Sequence, residues 1–115
     1  MAVQTPVVPP ASPAGAPNYA AVGASDTIPV APTGRYLVLL KGGAGADTAV
    51  VVDAATTSPP GSVTPGVFNL SHSVPATPSD RHFFVEAQRF RDVNGNIVIT
   101  HSAPTGVTCL VYGPF

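Results

Sequence analysis

The chain changes composition abruptly near residue 33, and that change limits what it can fold into. Residues 1–32 hold seven of the fourteen prolines and a single charge, Asp26, among Ala, Val, Gly and small polar residues. Proline removes a backbone donor and biases its neighbours toward extended conformations, so this segment predicts a polyproline-like or irregular arm and not a helix. From Arg35 onward the chain becomes a series of short β-branched and aromatic runs separated by Gly and Pro. The organisation that follows is an extended N-terminal arm over residues 1–32 and one small domain over residues 33–115.

Arg35–Lys41 (RYLVLLK) is almost continuously apolar, which predicts a strand that is central in its sheet or buried on both faces. Thr48–Asp53 predicts a second strand, joined to the first as a hairpin through the Gly-rich turn 42–47. Residues 54–66 read as a long loop, Val67–Leu70 as a short strand extending toward Val74, and Arg81–Gln88 as a strand on the strength of Phe83-Phe84-Val85. Asp92-Val93-Asn94-Gly95 predicts a type I′ turn leading into Asn96–His101, and Val107–Tyr112 forms the last strand. Six or seven short strands with closely spaced turn signals, and no assigned helix, predict an all-β fold: a small β-sandwich, Ig-like or jelly-roll-like, or a partly open barrel.

A domain of about 80 residues gains only a few kcal/mol from its core and often leans on a disulfide, a metal or a partner. Cys109 is the only cysteine, so no intrachain disulfide forms; it reads as a small buried hydrophobe in an apolar strand. The histidines show no zinc spacing, no cofactor is indicated, and association with a partner is the expected support. Only 10% of residues are charged and the net charge is -1, which provides neither a footprint for nucleic acid nor a basic stretch for a membrane surface. The N-terminus lacks a basic region followed by an uninterrupted apolar run, so the expectation is a soluble chain made in the cytoplasm.

No motif in the chain carries chemistry. The Gly-rich turn lacks the Lys-Ser/Thr ending of a phosphate loop and leads into a strand. Asp92, Asn94 and Asn96 alternate like the start of a calcium loop, but Ala103 stands where the bidentate acid belongs. His72, His82 and His101 lie in three separate segments, and Glu86, the only glutamate, has no evident carboxylate partner. The expectation is a protein that is not an enzyme. Candidate binding residues are Val7, Val8, Tyr19, Ile28 and Val30, the apolar anchors of the arm, with Thr27–Val30 suited to strand addition at a sheet edge. Arg81, Arg89 and Arg91, interleaved with Phe83, Phe84 and Phe90, form the densest cationic-aromatic stretch: either an interface or a solvated edge over core phenylalanines.

The order of short motifs across residues 34–113 carries a family resemblance. Arg35-Tyr-Leu-Val-Leu-Leu-Lys-Gly-Gly is followed by Ala49-Val-Val-Val-Asp53, the Val74-Pro75-Ala76 break, Arg81, Arg89-Phe90, Asn94-Gly95, Ile97–Ser102 and Thr105-Gly-Val-Thr108. This resembles the small head decoration (minor capsid or cement) proteins of tailed bacteriophages. Ala76-Thr77 stands where that family commonly has Ala-Gly, and Lys41-Gly42 where Lys-Asn is common. The resemblance implies a β-sandwich on the outer capsid surface of the virion, with the major capsid protein and other copies of itself as partners. A tail, connector or carbohydrate-binding adhesin module is the alternative, since fold alone does not decide among such roles.

Overall fold

The computed structural model describes residues 2–6, 19–52, 69–77 and 79–115. Nine strands and one helical turn occur among them: β1 (Ala2–Val3), β2 (Ala20–Ala21), β3 (Ser25–Pro29), β4 (Arg35–Lys41), β5 (Asp47–Val51), β6 (Leu70–Val74), β7 (Asp80–Glu86), α1 (Ala87–Phe90), β8 (Asn96–His101) and β9 (Thr108–Tyr112). They build two sheets, ordered β1-β3-β8-β5-β6 and β2-β9-β4-β7. All pairings are antiparallel except β1 with β3, which is parallel. The fold is the small all-β sandwich that the strand pattern predicts.

Period-two alternation fills the space between the sheets. Tyr36, Val38 and Leu40 of β4, Phe83 and Val85 of β7, and Cys109 and Val111 of β9 are buried from one side. Ile28, Ala49, Val51, Val74, Ile97 and Ile99 meet them from the other. Cys109 is a buried free thiol whose pKa is pushed up to about 12 by burial and secondarily by the charge of Asp26. β4 is central, between β7 and β9, as its composition predicts.

Four expectations need correction. β4 and β5 do not form a hairpin, because they belong to different sheets and the Gly-rich segment carries the chain across the sandwich. Of the strands that follow one another in the described chain, only β5 and β6 pair; every other connection changes sheets. The Asp92–Gly95 turn is present but is not type I′: Gly95 has φ of 82°, and Asn94 keeps a negative φ. Asp92 Oδ1 instead accepts from the Asn94 and Asn96 amides, both at 2.9 Å, an Asx arrangement that makes a second left-handed residue unnecessary. One helical turn, α1, follows β7 and turns Ala87 and Phe90 into the core.

The fourth correction concerns the arm. β3 pairs with β8 over five residues, Ser25↔Thr100 to Pro29↔Asn96, and Ile28 is fully buried. Residues 25–29 are therefore an internal strand, and the sandwich begins before residue 33. Strand addition expected at Thr27–Val30 takes this form. β1 and β2 extend the two sheets at the same side of the sandwich. The long loop expected at 54–66 lies outside the described residues.

Gly42 and Gly43 show why the crossing needs glycine. A Cβ on Gly43 would lie 2.3 Å from the Thr105 carbonyl oxygen and 2.7 Å from the Val107 nitrogen, and one on Gly42 would lie 2.1 Å from the Pro75 carbonyl oxygen. Gly45, in the same loop, faces open space. Gly43→Ala should therefore cost about 1–3 kcal/mol, as overpacking against fixed backbone does, while Gly45→Ala should be near neutral. Equilibrium urea unfolding of the two variants beside the parent checks the contrast.

Candidate interaction surface and the buried polar network

The outward face of the four-stranded sheet carries an apolar stripe. With Tyr36, Val38 and Leu40 turned inward, alternation turns Arg35, Leu37, Leu39 and Lys41 outward along β4. Leu39 stands in register with Leu110 of β9 and with His82 of β7, and Leu37 with Tyr112 and Phe84. This explains the unbroken apolar run of β4: its second face carries leucines too.

Phe84 and Phe115 cap one end of this face. They are 49% and 55% exposed and meet edge to face, with ring centroids 5.8 Å apart. The Arg35 guanidinium lies over the Phe84 ring at 4.9 Å. The backbone places these three groups: Arg35 pairs with Glu86, and the Phe115 N–H donates to the Arg35 carbonyl at 2.9 Å. Exposed aromatics braced by an arginine are the composition of binding hot spots. At the other end Lys41 Nζ lies 4.2 Å from the centre of the Tyr19 ring. Burial, then the nearby charge of Asp80, raises the Tyr19 phenol above its ordinary pKa.

The candidate residues do not gather into one site. Val7 and Val8 lie outside the described residues. Ile28 is core and presents nothing to a partner. Val30 is half-buried against the core, and its carbonyl accepts from Arg91 Nε at 3.3 Å. Arg81 is exposed near the start of β7, whereas Arg89 and Arg91 lie beyond its end, Arg89 with its guanidinium 5.1 Å from the Phe90 ring centre. The cationic stretch is thus divided between the two ends of the strand. Of the phenylalanines it contains, Phe83 and Phe90 are core and Phe84 is surface.

The most tightly organised polar group is one the sequence reading passed over. His101 is buried between two buried carboxylates: its Nδ1–H donates to Asp47 Oδ2 at 2.6 Å, and its Nε2 is 3.8 Å from Asp26 Oδ2. Asp47 Oδ1 also accepts from the Ala103 amide at 2.8 Å and the Ser102 hydroxyl at 3.4 Å. Asp26 Oδ1 accepts from the Gly23 amide at 2.8 Å, and Gln4 Nε2 reaches Asp26 Oδ2 at 3.3 Å and the Ala21 carbonyl at 3.1 Å. One polar seam therefore joins β5, β8 and β3 to the residue that follows β1 and to β2 in the opposite sheet. Its imidazole is about 1% exposed, which suits holding strands together better than meeting a substrate.

At the far side of the sandwich His72 stacks on Phe83 with ring centroids 3.8 Å apart and planes 6° from parallel. Burial, and secondarily the Arg81 charge, lowers its pKa, so this imidazole favours its neutral form. Among the described residues no group of three or more His, Cys, Asp or Glu side chains is placed to hold a metal ion, and no helix is long and apolar enough to cross a membrane.

Family models, curated proteins and solved structures were compared with the chain, and none matches.

Burial pushes the Asp47 carboxyl up, but the Ala103 amide, the hydrogen bond and charge of His101, and the Ser102 hydroxyl together hold it below the ordinary carboxylate value. A carboxyl depressed in the folded state contributes stability above its unfolded pKa, and loses it as pH falls through the folded value. Asp47→Ala should cost about 3–5 kcal/mol at pH 7, the usual effect of stranding one partner of a buried pair. The difference from the parent should shrink below about pH 4. Urea unfolding of both proteins from pH 7 to pH 3 measures it.

Proposed function

We propose that this chain is a structural adhesion protein that binds the outer surface of a bacteriophage head and stabilises it, without catalysis. The observation that carries the reading is the apolar outer face of β9-β4-β7 with the Arg35–Phe84–Phe115 cluster at its end. A monomer gains nothing from leaving Phe84 and Phe115 exposed beside the half-buried Leu37 and Leu39, whereas a partner surface that excludes water would gain from covering them. The order of motifs over residues 34–113, which resembles the head decoration proteins, supports a capsid as that partner. The partners in this reading are the major capsid protein and neighbouring copies of the same chain. Many equivalent lattice sites then make a weak single contact sufficient, through effective concentration.

The test uses heads, from the virus that encodes this chain, assembled without it. The protein should co-sediment with them and raise their resistance to heat and osmotic shock. Phe84→Ala combined with Phe115→Ala should weaken binding at least about tenfold, the loss expected from hot-spot aromatics, with little change in the melting temperature of the free protein. A protein that does not bind the heads, or binds without changing their resistance, overturns the reading.

A further inference from the structure

The two sheets end on four edge strands, and one of them lacks the usual protection. β1 and β2 are two residues long and β6 has five, whereas β7 runs for seven residues, Asp80–Glu86. Among the described strands β7 pairs with β4 alone. Edge strands are normally kept short, bulged, or marked with lysine or proline. β7 holds neither residue, and its ladder with β4 continues without a bulge from Lys41↔Asp80 to Arg35↔Glu86. Its far half, His82-Phe83-Phe84-Val85-Glu86, is rich in aromatic and β-branched residues that suit a strand.

The ends of that ladder show which backbone groups the edge offers. The Gly42 N–H donates to the Ser79 carbonyl at 2.8 Å, and the Ala87 N–H donates to the Gly34 carbonyl at 2.9 Å. Both bonds continue the β4–β7 register, so odd-numbered residues of β7 turn their backbone groups toward β4. His82, Phe84 and Glu86 turn theirs to the open side, where no described residue bonds to them. Their side chains are exposed, and no described residue forms an ion pair with His82 or Glu86.

This edge is complementary to itself. Two copies related by a twofold axis through Phe84, perpendicular to the sheet, pair antiparallel and keep inner residues opposite inner ones and outer opposite outer. His82 of each copy then stands opposite Glu86 of the other, an imidazole N–H facing a carboxylate. The two Phe84 rings meet at the axis, and Phe83 stands opposite Val85, an aromatic facing a β-branched residue. Every outer pair joins two residues whose backbone groups are both turned outward. An axis through Phe83 would instead set Asp80 opposite Glu86 twice, two like-charge contacts.

We propose that the open edge of β7 is a dimer interface, in which two copies pair through residues 82–86 to make one continuous eight-stranded sheet. α1 begins at Ala87, beyond the paired residues. The rows formed by Leu37 and Phe84 in the two copies join across the axis into a single apolar surface. The pairing rests on the edge and not on what that surface binds.

The test uses the full-length protein. Sedimentation equilibrium over a concentration series should show monomer passing to dimer. Over the same series, amide hydrogen exchange followed by NMR should slow at least about tenfold at His82, Phe84 and Glu86, while Phe83 and Val85, bonded to β4 in either state, change little. His82→Glu and Glu86→Lys each place like charges opposite one another and should raise the dissociation constant about tenfold. An equimolar mixture of the two variants, one labelled with ¹⁵N, should form heterodimers in native mass spectrometry, because the substituted positions then face each other with opposite charge. A chain that stays monomeric throughout the series overturns the proposal. So does a dimer that leaves exchange at the three amides unchanged, or a mixture no more dimeric than its components. No readout involves capsids, so failure here leaves the adhesion reading standing.

Discussion

The contact between His101 and Asp47 is the interaction on which the rest of this sandwich depends. A buried imidazole and a buried carboxylate are each expensive to desolvate, and each offsets the cost of the other only in good geometry. The 2.6 Å bond satisfies that condition, and its consequences spread outward. Asp47 opens β5 and orders the Ser102–Ala103 turn through its second oxygen. His101 closes β8 and turns its other nitrogen toward Asp26, which fixes the bend ahead of β3 through Gly23. An all-apolar core of this size would tolerate slippage between strands. A seam with directional partners does not, because a one-residue shift would move each polar group to the wrong face.

The two sheets divide labour. The five-stranded sheet holds the polar seam, and the four-stranded sheet carries apolar side chains on both of its surfaces. Low charge serves the same end. A surface with few ions has little to desolvate when covered, so contact through Leu37, Leu39, Phe84 and Phe115 meets little electrostatic opposition. The cost is weak protection against self-association while the face is bare.

Much of this architecture is written in the sequence, and what is not has physical reasons. Asn96–His101 is read to the residue because its alternation is clean and Asn-Gly marks the turn before it. The central place of β4 follows from its composition, and Cys109 is buried as its apolar neighbours require. The false hairpin between β4 and β5 arose because a glycine-rich turn looks alike whether it reverses a chain or crosses a sandwich; only tertiary contacts at Gly42 and Gly43 distinguish the two. The polar seam left a trace that was passed over. Asp26 is in phase with Ile28, Asp47 with Ala49 and Val51, and His101 with Ile97 and Ile99, so each polar residue sits at an inward position. No local rule could pair them, since 54 positions separate Asp47 from His101. The Arg35–Phe84–Phe115 cluster was hidden for the same reason: its members come from β4, β7 and the tail beyond β9.

The strand order has a consequence for how the molecule is made. β8 and β9 are the last strands of the described chain, yet β3 and β5 are joined only through β8, and β2 and β4 only through β9. A nascent chain that lacks β8 and β9 has no way to close either sheet. It holds apolar strands such as RYLVLLK without their neighbours, a condition that favours aggregation and slows productive collapse. Closure of the sandwich must therefore wait for β8 and β9, and a nascent chain that stops short of Asn96 leaves β1-β3, β5-β6 and β4-β7 as separate pairs and β2 alone.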